Sequence, residues 1–253
     1  MHRVRTPEIF ASRDAAGCGK HIDYAATAEH VYEAFTACGG EDQRTSGLAL
    51  WFIMQGDNAA IRYGIRVLQR QADAGLTSAM HNLALEKLKG EGTERDYAGA
   101  NALLRRILAA EDKDTKLLSE TMSALADSYR LGRAMPVDFT AALELYIKAA
   151  DLGMGRAAFN AGLVFDNGSQ ADDATPDFDQ AAHFYQIAAD LGDVPARTNL
   201  GILHATGLLT NPDRERGLAL LRTAVADGDE VACVALAVFE KSSDQAESGE
   251  VRH

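Results

Sequence analysis

The chain has 253 residues, 47% of them hydrophobic and 7% aromatic, with a formal charge of −12 and three cysteines. The negative balance excludes a surface built to hold phosphate backbones, because nucleic-acid affinity comes mainly from clustered Lys and Arg. The odd set Cys18, Cys38 and Cys233 excludes a disulfide framework and suits a reducing compartment.

In chain order, Arg3, Arg5 and Cys18 stand where parts of an export leader would, yet the stretch from Thr6 to Asp14 holds no apolar core. No run reaches the roughly 20 apolar residues of a membrane span. A cytoplasmic location is therefore expected, with no membrane partner. Residues 1–22 read as a flexible polar segment, and 23–40 as a capping helix with Tyr24 to Cys38 as its body.

From residue 41 the chain repeats itself. Ala149 to Gly153 reads Ala-Ala-Asp-Leu-Gly and returns as Ala188 to Gly192, with worn copies at Ala72 to Gly75 and Val225 to Gly228. Recurrence at about 40 residues marks a tandem-repeat architecture. Ahead of each copy lies one pattern. Asp177 is followed by Ala181, Phe184, Tyr185, Ala188, Ala189 and Gly192, and the same offsets run from Asp138 to Gly153 and from Asp213 to Gly228. They recur more loosely from Asp96 to Leu108, and without the aspartate from Gly64 to Gly75. Apolar residues at i, i+3, i+4, i+7 and i+8 make one helical stripe, Asp in front caps it, and Gly behind suits the left-handed position after the last turn. Each copy is predicted to be an amphipathic helix, termed B.

A second helix, A, precedes each B. Its marks are Ala157, Ala161-Gly162, Phe165 and Gly168; Ala196, Leu200-Gly201, His204 and Gly207; Ala79, Leu83-Ala84 and Gly90; Thr121, Leu125-Ala126, Tyr129 and Gly132. A degenerate leading copy has Thr45, Ala49-Leu50 and Gly56. Small residues at fixed helix positions let neighbouring helices approach closely. After Gly228, residues Ala232, Leu236-Ala237 and Phe239 restart an A helix with no B behind it, as expected of a terminal cap. Residues 242–253 read as a flexible tail, and Cys38 and Cys233 as small buried hydrophobes.

The segment Gly90 to Tyr97 with Ala100, and Ala157 to Gly168 with Tyr185 and Ala188 to Gly192, resemble Sel1-like repeats, relatives of the tetratricopeptide repeat, over about 41–241. The resemblance implies an all-α, right-handed superhelical solenoid of about five helix pairs plus the terminal helix. It also implies a non-catalytic adaptor, scaffold or regulatory subunit that binds a protein partner. Three departures stand out: Glu111 replaces the expected Gly, about six extra residues precede Thr121, and the leading copy lacks its Asp cap.

Chemistry is sparse. Gly153-Met154-Gly155 with Ala158 meets the letter of the dinucleotide fingerprint, but that motif needs a strand before it, and here a helix precedes. None of the seven histidines pairs with another His or Cys at ligand spacing; His183 and His204 read as structural. No catalytic, cofactor-binding or metal-ligating residue is expected. In tetratricopeptide-like arrays the A helices line the concave face, which maps here to a first row of Trp51, Leu85, Asp127, Leu163 and Ile202 and a second of Gly47, His81, Ser123, Phe159 and Thr198. The same residues suit helix packing if the register shifts by one position. A second candidate is the loop between Gly168 and Asp177, three residues longer than its siblings, where Asp172 and Asp173 could steer a basic partner or simply be solvated. The alternative to an adaptor is an immunity- or antitoxin-type inhibitor that occludes a partner enzyme.

Overall fold

The computed structural model describes residues 43–54, 58–90, 94–110, 114–168 and 175–249. The expected capping helix at 23–40, Gly56, Glu111, Asp172 and Asp173 lie outside them. The described residues form eleven helices and no strand: α1 Gln43–Met54, α2 Asn58–Asp73, α3 Thr77–Lys89, α4 Tyr97–Ala109, α5 Thr115–Leu131, α6 Phe139–Asp151, α7 Gly155–Asp166, α8 Phe178–Asp190, α9 Val194–Thr206, α10 Arg214–Ala226 and α11 Glu230–Gly249. Odd-numbered helices are the A type and even-numbered ones the B type. Each packs on its chain neighbours, and successive A helices also touch at α1/α3, α3/α5 and α9/α11. This is an all-α solenoid, in which every unit is held by the next.

Local chemistry explains where the B helices start. The carboxylates of Asp96, Asp138, Asp177 and Asp213 accept from the backbone N–H of Gly99, Ala141, Gln180 and Arg216, three residues on, at 2.8–3.0 Å. Each satisfies an amide that the first helical turn leaves unpaired. The cap residues are themselves tethered to the preceding A helix. Asp96, Asp138 and Asp177 donate their backbone N–H to the carbonyls of Lys87, Tyr129 and Phe165, whereas Asp213 donates to Nδ1 of His204 at 3.2 Å. Asp138→Ala and Asp213→Ala are each expected to cost about 1 kcal/mol, read as a shift of the urea midpoint; unchanged midpoints in both would mean that the caps do not hold the helix starts.

The B-to-A turns repeat one closure. Gly75, Gly153, Gly192 and Gly228 all take φ near +90°, and the following residue donates back five positions, as in Leu76 to Gln71 and Asp193 to Ala188. A left-handed residue is inexpensive only for Gly. The second unit departs from this. Helix α4 ends at Ala110 in extended conformation (φ −69°, ψ 148°), and Thr115 to Leu118, four of the roughly six extra residues before Thr121, become additional helix, so that α5 runs 17 residues from an Asp114 cap.

The core is a chain of overlapping clusters rather than one centre. Tyr146 and Tyr185 are its largest fully buried side chains, and their hydroxyls donate to Asp127 at 2.5 Å and Asp166 at 2.8 Å, pairing a group whose burial would otherwise be costly. Gly162 makes room for the Tyr185 ring, and Gly201 faces Gly217 where α9 meets α10. Two expectations need correction at the C-terminal end. Cys233 is exposed rather than buried, because among the described residues α11 packs only on α9 and α10, on its other side; and α11 continues to Gly249, across most of the segment expected as a tail.

Candidate partner-binding face

Three successive A helices bring their side chains to one groove of about 560 Å³. It is lined by His81, Asn82 and Leu85 of α3, by Glu120, Ser123, Ala124, Asp127 and Arg130 of α5, and by Met154, Arg156 and Asn160 at the start of α7. Relative to the small residue that opens each A pattern (Ala79, Thr121, Ala157), these fall mainly one before and two, three and six after. That arc is the one face of a helix shared by all three units.

Of the residues expected on the concave face, His81, Leu85, Ser123 and Asp127 line the groove. Phe159 is half-buried beside it, with the Arg156 guanidinium 5.3 Å over its ring and the Tyr185 ring 5.8 Å away. Trp51, Leu163 and Ile202 are half-buried and pack against core clusters: Trp51 edge-on to Phe52 at 5.0 Å, Leu163 against the cluster of Ala158, Tyr185 and Leu200, and Ile202 against that of Leu221, Ala224 and Ala232. Thr198 is buried and donates to Asp229 at 2.7 Å, and Gly47 is exposed at the far end. Leu85 is thus the apolar residue of the first row that reaches the groove without joining a core cluster.

Sequence reasoning missed Asn82, Asn160, Arg130 and Arg156. A signal for the amides was present: Asn82, Asn160 and Asn199 each stand directly before the Leu or Ala of the A-helix pair. The arginines carry no such mark, since their offsets differ from unit to unit.

The groove's polar groups are largely held by the fold. Thr121 Oγ1 donates to the Leu117 carbonyl at 2.7 Å, His81 Nδ1 lies 3.3 Å from the same hydroxyl, and Nε2 faces Glu120 at 3.7 Å. Burial lowers the His81 pKa, opposed by the Glu120 charge, and the ring is neutral at pH 7. Arg130 donates from Nε to the Tyr146 hydroxyl at 3.1 Å and from Nη2 to Asp127 at 3.3 Å. Burial and then the Asp127 charge push the Tyr146 pKa well up, which keeps the hydroxyl protonated as the donor to Asp127. Arg156 lies 3.7 Å from Asp193. Two carboxylates and two guanidiniums therefore nearly balance, around an apolar floor of Leu85, Ala124 and Met154. Among the described residues no group of three His, Cys, Asp or Glu side chains is placed to hold a metal ion, and no helix is long and apolar enough to cross a membrane.

Paired helices stacked in series, with a mixed polar and apolar groove spanning three units, define a tetratricopeptide-like repeat scaffold. A family model for the Sel1 repeat matches residues 77–111, 119–154, 155–193 and 194–229, more than half of the sequence, and the chain belongs to the Sel1 repeat family. Among solved structures it is similar to a Sel1 repeat protein from Oxalobacter formigenes (22% identity, TM-score 0.63, covering 82% of this chain and 86% of that one). It is also similar to c5321, a protective antigen of uropathogenic Escherichia coli with an SLR fold (19%, 0.62, 78% of this chain and 45% of that one). A third is a Sel1 repeat protein from Klebsiella pneumoniae subsp. pneumoniae (18%, 0.50, 85% and 99%). At these identities the likeness speaks to the fold. No curated protein matches the chain.

Proposed function

We propose that this protein is a non-catalytic interaction module, an adaptor, scaffold or regulatory subunit of a bacterial cytoplasmic assembly, that holds a protein partner on the concave face of its A helices. Sel1 repeat proteins as a class mediate protein–protein interaction. The observation that carries the reading is the groove itself: side chains from α3, α5 and α7 line one trough, which a single segment of a partner can span. The amides of Asn82 and Asn160 offer hydrogen bonds to a partner, and Leu85 offers an apolar seat. The exposed thiol of Cys233 suits a reducing compartment.

The test is Leu85→Asp. Leu85 is half-buried in the groove wall and outside the core clusters, so the variant is expected to cost only about 1 kcal/mol of stability and to stay folded. It is expected to lose the partner that the parent retains in affinity purification from its own cell, since a central apolar anchor typically carries about 2 kcal/mol or more of binding. A folded variant that keeps every partner would move the interface off this face. The same change at Leu163, which packs against the Tyr185 cluster, buries a carboxylate and is expected to cost about 2 kcal/mol or more of stability.

A further inference from the structure

In α5 the positions one before and two and six after the opening small residue, Glu120, Ser123 and Asp127, line the groove. In α9 they are Pro195, Thr198 and Ile202, of which Thr198 is buried and Ile202 half-buried; Thr198 is bonded to Asp229, just ahead of α11, and Ile202 packs on the cluster that includes Ala232. In α11 the same positions are Val231, Val234 and Val238. Here all three are aliphatic, and they stand 61%, 66% and 59% exposed. Singly exposed apolar residues are ordinary, but three on one stripe of one helix mark a surface that something covers.

The two ends of that stripe indicate what covers it. At 100° per residue, Glu230 and Lys241 fall on the same arc as the valines, and both are exposed. The stripe thus reads acid, Val, Val, Val, base along the helix. We propose that it is covered by α11 of a second copy of this chain, antiparallel and related by a two-fold axis near Ala235. With the axis at Ala235, Val231 of one copy lies within one residue of Val238 of the other, Val234 lies beside the axis, and Glu230 comes within one residue of Lys241 at both ends, inside the reach of a lysine side chain. A parallel pair would set Glu230 against Glu230, and self-complementarity of this kind is what a two-fold interface requires. A single helix face is smaller than the roughly 800 Å² per partner of a standard interface, so the dimer dissociates on dilution.

Sedimentation equilibrium of the full chain over a wide concentration range tests this. The weight-average mass should rise from 27.1 kDa towards twice that value. Val234→Asp, a change at an exposed position, should leave the far-UV spectrum intact and hold the mass at the monomer. Glu230→Lys alone and Lys241→Glu alone should each weaken association by about tenfold or more, because each sets like charges together at both ends. The double exchange Glu230→Lys/Lys241→Glu should restore it. A parent that stays monomeric throughout, a dimer that survives Val234→Asp, or a double exchange that fails to rescue would each overturn the proposal; the last would exclude the antiparallel α11 pairing specifically.

Discussion

Gly217→Val is expected to destabilise the protein by about 3 kcal/mol or more, the upper range for overpacking. A Cβ at Gly217 would stand 2.7 Å from the backbone nitrogen of Ala205, 2.7 Å from the carbonyl oxygen of Gly201 and 3.0 Å from Cβ of His204. Two of these are main-chain atoms of α9 and cannot rotate away, so α9 and α10 must separate. That separation strains the His204 Nδ1 bond to the Asp213 amide and opens the packing of Leu221, fully buried beneath it. Gly228→Ala is the control. It has φ +88° and nothing within 4 Å of a Cβ, so it bears only the left-handed backbone penalty of about 1–2 kcal/mol. Chemical denaturation of both variants checks the ranking, and equal midpoints would remove the close approach of α9 and α10 as its cause.

Deleting residues 229–253 is expected to cost on the order of 3 kcal/mol, about the value of uncovering one fully buried large aliphatic side chain and its small neighbour. Leu221 and Ala224 are completely buried under α11 together with Ala232. The deletion also removes the Arg214 bond to the Phe239 carbonyl at 2.8 Å, the Arg222–Glu240 pair at 2.8 Å and the Thr198–Asp229 bond. In a solenoid such losses fall on the nearest unit first, so α9 and α10 should lose amide-exchange protection before α3 and α4. A truncated chain with the parent's midpoint would mean that α11 is not the cap of the array.

Much of the fold was legible because its signals are local. Asp96, Asp138, Asp177 and Asp213 cap the helices they precede, and Gly75, Gly153, Gly192 and Gly228 take the left-handed conformation. Each such feature depends on atoms within one helical turn. The extra residues before Thr121 were legible as an anomaly, but their outcome was not: the lengthening of α5 by Thr115 to Leu118 rests on the Asp114 cap and the helix propensity of that stretch. The groove was legible in part. Offsets brought out Leu85, Asp127, His81 and Ser123, and Asn82 and Asn160 carried a readable mark. Leu163 and Ile202 share the offset of Leu85 and yet pack into clusters.

The sequence by itself determined that this chain is a tandem array of capped helix pairs, which pairs are degenerate, and where each helix turns back, since caps, stripes and turn glycines act within a few residues of themselves. Only the tertiary structure decided which residues at one repeat offset face the groove and which face a neighbour. It also decided that Cys233 and the α11 valines lie open and that Glu120 and Arg130 join a common trough with Arg156. Burial at an A-helix position is set by the side chain that the next unit presents across about 40 residues of sequence, and one copy of a repeat carries no record of its neighbour.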